Sequence, residues 1–284
     1  LPALDSRRVA LLRRCAVFLS DYHSHSLVSF DGKFPMSDMA QAAVDAGLNE
    51  LCITDHCDFL DENGVPVRTY DWAKALDQFE AAVPFHSREG FSLRLGLEFG
   101  MPYLDPAAAE RICSQPLLDF VLGSVHNQSP ELGGIDFYFA DYSTTAACRE
   151  ALDDYFASLA LLAETDFYDV LAHIIYPLRY MKPADGPVTL AGYEERLEAL
   201  LRTVIGRGKG MEVNTWCGRT LADWLPLLKL YRSLGGEIVT VGSDAHAPCN
   251  VGKGVPQAFD LLREAGFRYV TVFRRRKPEF VPII

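Results

Sequence analysis

The chain contains seven histidines, and six of them, His23, His25, His56, His126, His173 and His246, stand just after a short apolar run. His23 and His25 are two residues apart, a spacing that in an extended chain turns both imidazoles to one face, where they can grip one cation. Carboxylates hold similar places: Asp55 beside His56, Glu98 after the third run, Asp244 two residues before His246, and Asp31 beside Gly32 in the first loop. The sixth run ends on Glu212 or Asn214. Neutral imidazole and carboxylate are preferred donors for Zn, Mn and Fe, and a carboxylate can bridge two ions, so the set can hold a multinuclear site. Any one of these histidines alone reads better as a hydrogen-bonded core or surface residue; their shared placement is what points to metal. His86, in Phe85-His86-Ser87-Arg88, ends a helical pattern and reads as solvated. Asp55 either orients His56 from behind or caps the next turn.

Donors so placed require elements that converge. The apolar runs are Ala16 to Leu19, Leu51 to Thr54, Leu93 to Leu97, Phe120 to Val125, Val170 to Ala172, Met211 to Val213 and Ile238 to Val241. Between them lie helical stripes: Ala40, Ala43, Val44 and Gly47 after a Ser37 N-cap, Trp72 to Val83, Leu152 to Leu162, Tyr193 to Val204, and Trp224 to Leu234 closed by Gly235 and Gly236. Alternating βα units predict an α/β fold with a parallel sheet, and in a parallel barrel the groups that do chemistry gather at the carboxyl ends of the strands. A chain of 284 residues suits one such barrel, so a single domain is expected over 1–284, with 1–15 as an N-terminal extension or helix before the first strand. The Pro- and Gly-bearing loops Asp61 to Pro66 and Lys182 to Pro187 read as insertions between units.

Lys and Arg number 27 against 38 Asp and Glu, a formal charge of -11, which disfavours a nucleic-acid-coating surface without excluding a metal-filled pocket that attracts phosphate. Seven cysteines without a CxxC pair fit a reducing cytoplasm, and no apolar stretch is long enough to be a membrane span. Gly206-Arg-Gly208-Lys-Gly210 precedes a strand, whereas a pyrophosphate loop follows one, so no dinucleotide site is expected.

The motifs His23-Ser-His25, Ile53-Thr-Asp-His56, Gly96-Leu-Glu98, Gly123-Ser-Val-His126, Leu171-Ala-His173 and Gly242-Ser-Asp244-Ala-His246, in this order, resemble the polymerase and histidinol phosphatase (PHP) superfamily of metal-dependent phosphoesterases. The resemblance implies a distorted (β/α)7 TIM-like barrel with two or three divalent ions. His23, His25, Glu98 and Asp244 would hold the first ion; Glu98, His126 and His173 the second, with Glu98 bridging; His56, His246 and Asp31 a third. The segments Tyr269 to Phe273 and His173 to Tyr180 look like the histidinol-phosphatase branch, which implies hydrolysis of L-histidinol phosphate, a small-molecule ester of histidine biosynthesis, by a metal-activated hydroxide without a protein nucleophile. Arg179 is the expected phosphate clamp, unless it is a surface residue of its loop, with Lys182 and Arg219 weaker candidates. A metal-bound water, or His246 or Asp244 if not fully engaged, would protonate the leaving alkoxide, and Asp58, Asp61 or Asp136 would meet the substrate amine unless they are solvated loop residues. A phosphodiesterase or exonuclease of the same superfamily is the rival reading, and a non-catalytic metal-binding regulatory domain the rival of another class. The oligomeric state is not legible.

Overall fold

The structure, a computed structural model, describes residues 17–283, so the expected extension at 1–15 lies outside the described residues. Seven strands form one parallel sheet in sequence order: β1 (Ser20–Asp21), β2 (Glu50–Asp58), β3 (Ser92–Gly100), β4 (Phe120–Ser124), β5 (Val170–Leu171), β6 (Gly210–Asn214) and β7 (Val239–Gly242). The ring closes where β1 meets β7. The Tyr22 N–H donates to the Val241 carbonyl (2.8 Å), Asp244 N–H to His23 O (2.9 Å) and His25 N–H to Ala245 O (2.8 Å), carrying the pairing past both strand ends. A helix follows each strand: α1 (Met36–Asp45), α2 (Trp72–Ala81), α3 (Pro106–Cys113), α4 (Thr145–Ala163), α5 (Glu194–Gly206), α6 (Leu221–Ser233) and α7 (Val255–Glu264). This is the expected (β/α)7 barrel.

Sequence periodicity places most of these elements to within a few residues. The first strand lies one step beyond Leu19, at Ser20–Asp21. Ser37 is not an N-cap, because α1 already begins at Met36, behind an extended Pro35 that makes no side-chain cap. Ser37 falls inside the first turn. The α6 stop is as expected: Gly235 sits at φ 95°, and the Gly236 N–H returns to the Tyr231 carbonyl (2.9 Å). Helices α3 and α7 carry no stripe that stood out in the sequence, although α3 has a plain start signal, Asp105 accepting from Ala108 N (2.9 Å) ahead of Pro106.

Two apolar layers hold the ring. Outward residues such as Ile53, Leu95, Val121, Leu171, Val213 and Val241 pack under the helices. Inside, Tyr22, Cys52, Phe120, Leu122, Val170 and Ala172 fill the lower bore. A C-terminal hairpin, β8 (Tyr269–Arg274) with β9 (Lys277–Pro282), plugs that end by adding Val272 and Phe273 to the inner layer. Its two-residue turn, Arg275 and Arg276, has φ of 49° and 62°, the left-handed pair that a tight hairpin needs. Ion pairs fasten it: Arg274 to Glu50 (2.9 Å), and Arg276 to both oxygens of Asp169 (3.0 Å each). With the amino end of the barrel sealed, only the carboxyl end is open for chemistry.

Candidate metal centre

The period of two on β2 sets the first division of labour. Cys52, Thr54, His56 and Asp58 share one face, whereas Leu51, Ile53 and Cys57 on the other join the layer beneath the helices. Glu98 on β3 is paired with His56 in register and is 1 % exposed. Around it the structure gathers every donor expected from the sequence.

His23 Nε2 lies 3.1 Å and His25 Nε2 3.5 Å from Glu98 Oε2, and the same two nitrogens lie 3.7 and 3.6 Å from Asp244 Oδ1. On the other carboxylate oxygen, Glu98 Oε1 is 3.0 Å from His126 Nε2 and 2.7 Å from His173 Nε2, which are themselves 3.3 Å apart. An ion with bonds of about 2.0–2.1 Å in tetrahedral geometry separates its donor atoms by about 3.3 Å, so both groups have the spacing of a coordination shell. A third group is more open: His246 Nε2 is 2.9 Å and His56 Nε2 3.8 Å from Asp31 Oδ2, and the ring of His25 stacks on those of both His56 and His246. Buried nitrogens give an independent sign. His23 Nε2 and His25 Nε2 are shielded from water, take no hydrogen bond, and point into the first group. In native proteins such orphans are rare, and a bound cation resolves them.

The groups behind the donors were partly missed. Glu212, noted only as an alternative to Asn214, is fully buried on β6; its Oε1 meets His23 Nδ1 (2.7 Å) and its Oε2 accepts from the His173 N–H (2.9 Å). This bond places the proton on Nδ1 and frees Nε2 of His23 for a cation. Asp58, offered as an amine contact or a solvated loop residue, is not a loop residue. It ends β2, largely buried, with Oδ1 at 2.9 Å from His126 Nδ1 and Oδ2 at 3.3 Å from His56 Nδ1. The period of two was the signal that would have found it. Asp55 supports His56 only at one remove: its carboxylate accepts from the N–H and hydroxyl of Ser26 (2.6 and 2.7 Å) and from the Ser29 hydroxyl (2.8 Å), tying down the loop after β1, and Ser29 Oγ in turn accepts from the His56 N–H (3.0 Å) and lies 3.2 Å from His25 Nδ1. His86 is away from the centre, part-buried and stacked on Phe79.

The charges are strongly coupled. Burial and the neighbouring His246 and His56 push the His25 imidazolium down to about 3, holding that ring neutral. For His56 burial works the same way, but Glu98 and Asp58 overcome it and raise its pKa to about 9. Burial favours the neutral acid at Asp58, yet His126 draws its pKa down to about 2. Glu98 and Asp244 are likewise held well below the ordinary carboxylate range, against burial, chiefly by His23. The carboxylates are therefore ionised and acceptor-only.

Above the donors opens a cleft of about 440 Å³, within the range of small-molecule sites. Arg179 is not a surface residue. Its side chain is 3 % exposed, its Nη1 donates to Asp244 Oδ2 (3.0 Å) and its Nη2 to Asn214 Oδ1 (2.7 Å), and its guanidinium lies against the rings of Tyr176 (5.3 Å) and Trp216 (5.2 Å). Arg219 lies on the other contact of Trp216 (4.9 Å) and also lines the cleft, whereas Lys182 is exposed and does not. The Asp61 carboxylate caps its own turn at Asn63 N and Val65 N (2.9 Å each).

Among known proteins, the PHP domain family matches residues 21–216. The histidinol-phosphatase of Lactococcus lactis subsp. lactis is 26 % identical, covering 90 % of this chain and 95 % of its own. A probable histidinol-phosphatase of Deinococcus radiodurans is 30 % identical, covering 91 % and 98 %. A crystal structure of the L. lactis histidinol phosphate phosphatase, complexed with Zn, L-histidinol and phosphate, superposes with a TM-score of 0.81 at 24 % identity over 93 % of this chain and all of that one.

Proposed function

The chain belongs to the PHP domain family, in its histidinol-phosphatase branch, and from that premise we propose that its cleft hydrolyses L-histidinol phosphate to L-histidinol and phosphate with the help of divalent metal ions. The observation that carries the reading is the bridge position of Glu98: one buried carboxylate offers Oε2 to the His23, His25 and Asp244 group and Oε1 to the His126 and His173 group, beneath a cleft with a buried arginine. Relatives named for this activity, alike over about nine-tenths of the chain, support the choice of substrate.

The donor set fits Zn, Mn or Fe, and by the distances between donor atoms we assign His23, His25, Glu98 and Asp244 to one ion, Glu98, His126 and His173 to a second, and His56, His246 and Asp31 to a third. Divalent ions there supply Lewis acidity toward phosphoryl oxygens and make water acidic enough to ionise near neutral pH. The remaining work is done by the chain. Glu212 fixes the tautomer of His23, and Asp58 orients His126. Arg179 brings a permanent positive charge to the phosphate, and with each terminal nitrogen already committed to Asp244 or Asn214 it acts from a fixed pose instead of folding over the ester as a free fork. Asp244, bound by Arg179 and close to both His23 and His25, has no proton to give, which leaves His246, its Nε2 facing Asp31 Oδ2, as the side chain that would protonate the leaving alkoxide when no third ion holds it.

Six described cysteines are all free, and among the described residues no helix is long and apolar enough to cross a membrane; with the activity proposed, these features support a cytoplasmic setting. Phosphate release from L-histidinol phosphate by protein reconstituted with Mn, Zn or Fe tests the reading, with His126→Ala as control. Equal rates for the variant and the parent would overturn it, and faster turnover of bis-p-nitrophenyl phosphate than of histidinol phosphate would favour the phosphodiesterase rival.

A further inference from the structure

A cleft that binds a phosphate dianion gains nothing from an extra carboxylate, since each one repels the substrate. Asp136 is such a group. It lines the same cleft as Glu98 and Arg179, yet no Lys, Arg or His among the described residues comes within salt-bridge distance of it. Its Oδ1 accepts from the Tyr138 N–H (2.7 Å) and the Tyr176 hydroxyl (3.3 Å), and its Oδ2 takes no hydrogen bond from the described residues. Tyr176 sets its position relative to the centre: the ring packs on His126 (5.2 Å) and under the Arg179 guanidinium (5.3 Å), while the hydroxyl reaches Asp136. Of the other acids nearby, Asp58 is committed to His126 and His56 and Asp61 to its own turn, while Glu62, also on the cleft lining, is exposed and no hydrogen bond among the described residues fixes its carboxylate as Asp136 is fixed.

The carboxylate is also rigidly held. The Asn127 amide donates to Asp61 O (2.7 Å) and Gly134 O (2.8 Å), and the Asp136 N–H to Glu62 O (3.2 Å), which joins the loop after β2 to the loop after β4. Gly64, at φ +80°, makes that contact possible, since a Cβ there would lie 2.5 Å from Gly133 O. An unpaired acceptor fixed in this way suits a ligand cation, because little ordering remains to be done on binding. The exposed rings of Tyr138 and Phe30, which line the same cleft, offer flat apolar surface.

We propose that Asp136 selects the leaving group: its free Oδ2 takes a cationic nitrogen of the alcohol, an ammonium next to a flat ring, while the phosphate lies toward Glu98 and Arg179. This rests on the phosphomonoesterase reading above and names the part of the substrate that the metal donors do not touch. The test is Asp136→Asn, which keeps the Oδ1 acceptor for Tyr138 and removes the charge. The quantity read is the ratio of kcat/KM for L-histidinol phosphate to that for p-nitrophenyl phosphate, which has no cation. The ratio falls at least tenfold, and the fall is in KM for histidinol phosphate. An unchanged ratio, whether both activities drop together or neither does, overturns the role of Asp136. A parent enzyme inactive on histidinol phosphate would instead overturn the functional reading, and Asp136 is then judged on a matched pair: the parent prefers O-phosphoethanolamine to propyl phosphate and Asp136→Asn loses that preference, and a variant that keeps it refutes the assignment.

Discussion

Glu212→Gln changes one oxygen of a fully buried side chain into an amide nitrogen, and the contacts of Glu212 set the cost. Both of its oxygens are acceptors in use, one toward His23 Nδ1 at 2.7 Å and one toward the His173 N–H at 2.9 Å. Glutamine retains a single acceptor, so one of these two donors must face an NH2 group. A charge-assisted hydrogen bond lost in a buried place costs about 1.5–3 kcal/mol. If His173 keeps the oxygen, His23 loses the partner that fixes its proton on Nδ1, and Nε2 is no longer reserved for a cation. If His23 keeps it, the backbone that carries His173 is displaced. Either way the loss falls on metal binding, and outer partners of this kind are worth 10–100-fold in affinity or activity, the same scale as the bond energy. The measurement is a titration of metal-free protein with Zn or Mn against a competing chelator, followed by histidinol phosphate turnover at saturating metal. Weaker metal binding by at least tenfold is expected, with partial recovery of turnover when metal is in excess. A variant that binds metal and turns over within twofold of the parent, with only its melting temperature lowered, would refute the orienting role and leave Glu212 a packing residue.

Other perturbations separate the two ends of the barrel. Dialysis against a chelator abolishes phosphatase activity, and Zn, Mn or Fe restores it; activity that survives complete metal removal, checked by elemental analysis, contradicts the metal assignment. Arg179→Lys keeps a charge but cannot stack between Tyr176 and Trp216 while bonding both Asp244 and Asn214, and a 10²-fold or greater loss of kcat/KM is expected in steady-state assays. At the closed end, Arg276→Ala leaves the buried Asp169 carboxylate without its cation, a change that typically costs about 3–5 kcal/mol in denaturant unfolding. Burial already raises the pKa of Asp169 against the pull of Arg276, and removing the arginine raises it further. A carboxyl whose folded pKa lies above its unfolded value destabilises the fold when ionised, so the deficit of Arg276→Ala shrinks as the pH is lowered through that raised pKa; a deficit independent of pH would show that Asp169 is not its source.

The metal donors were legible because barrel geometry converts position into function: a His or carboxylate immediately after an apolar run lies at the open end, whatever lies between the runs. Asp58 and Glu212 escaped for opposite reasons. Asp58 precedes a loop with its own acids, Asp61 and Glu62, and only its place at the end of a nine-residue strand marks it as inward. Glu212 lies inside its strand, where a lone acid in Met211-Glu212-Val213 has no partner in the local sequence; the His23 that it serves is far away in the chain and adjacent only after the ring has closed. The same distance hides the hairpin, since no local pattern tells that Arg274 and Arg276 answer Glu50 and Asp169. Arg179 was ambiguous in sequence because its loop fixes no direction; the direction comes from Asn214 and from the two rings about it.

The backbone around those rings is strained. Trp216 and Cys217 have φ of 43° and 53°, and Asp244 has φ of 60°. Left-handed backbone at a residue with a side chain costs on the order of 1–2 kcal/mol each, so neighbouring structure must hold it in place. Here the bonds that do so continue the strand pairing past its ends, Thr215 N–H to Gly242 O (2.8 Å) and Cys217 N–H to Ser243 O (2.8 Å) between β6 and β7, and Asp244 N–H to His23 O (2.9 Å) at the closure of β7 on β1. Gly242 has no alternative, because a Cβ there would fall 2.3 Å from both Glu212 Oε1 and the His23 Cβ. One seam thus carries His23, Glu212, Asn214, Trp216 and Asp244, and a side chain added at Gly242 would disturb all of them at once. Gly242→Ala is accordingly expected to lose both metal affinity and activity by more than Glu212→Gln does, since it moves the donors themselves as well as the group behind them. Parent-like metal titration and turnover in Gly242→Ala would mean that the seam yields without cost and that the strained turns are not what fixes the site.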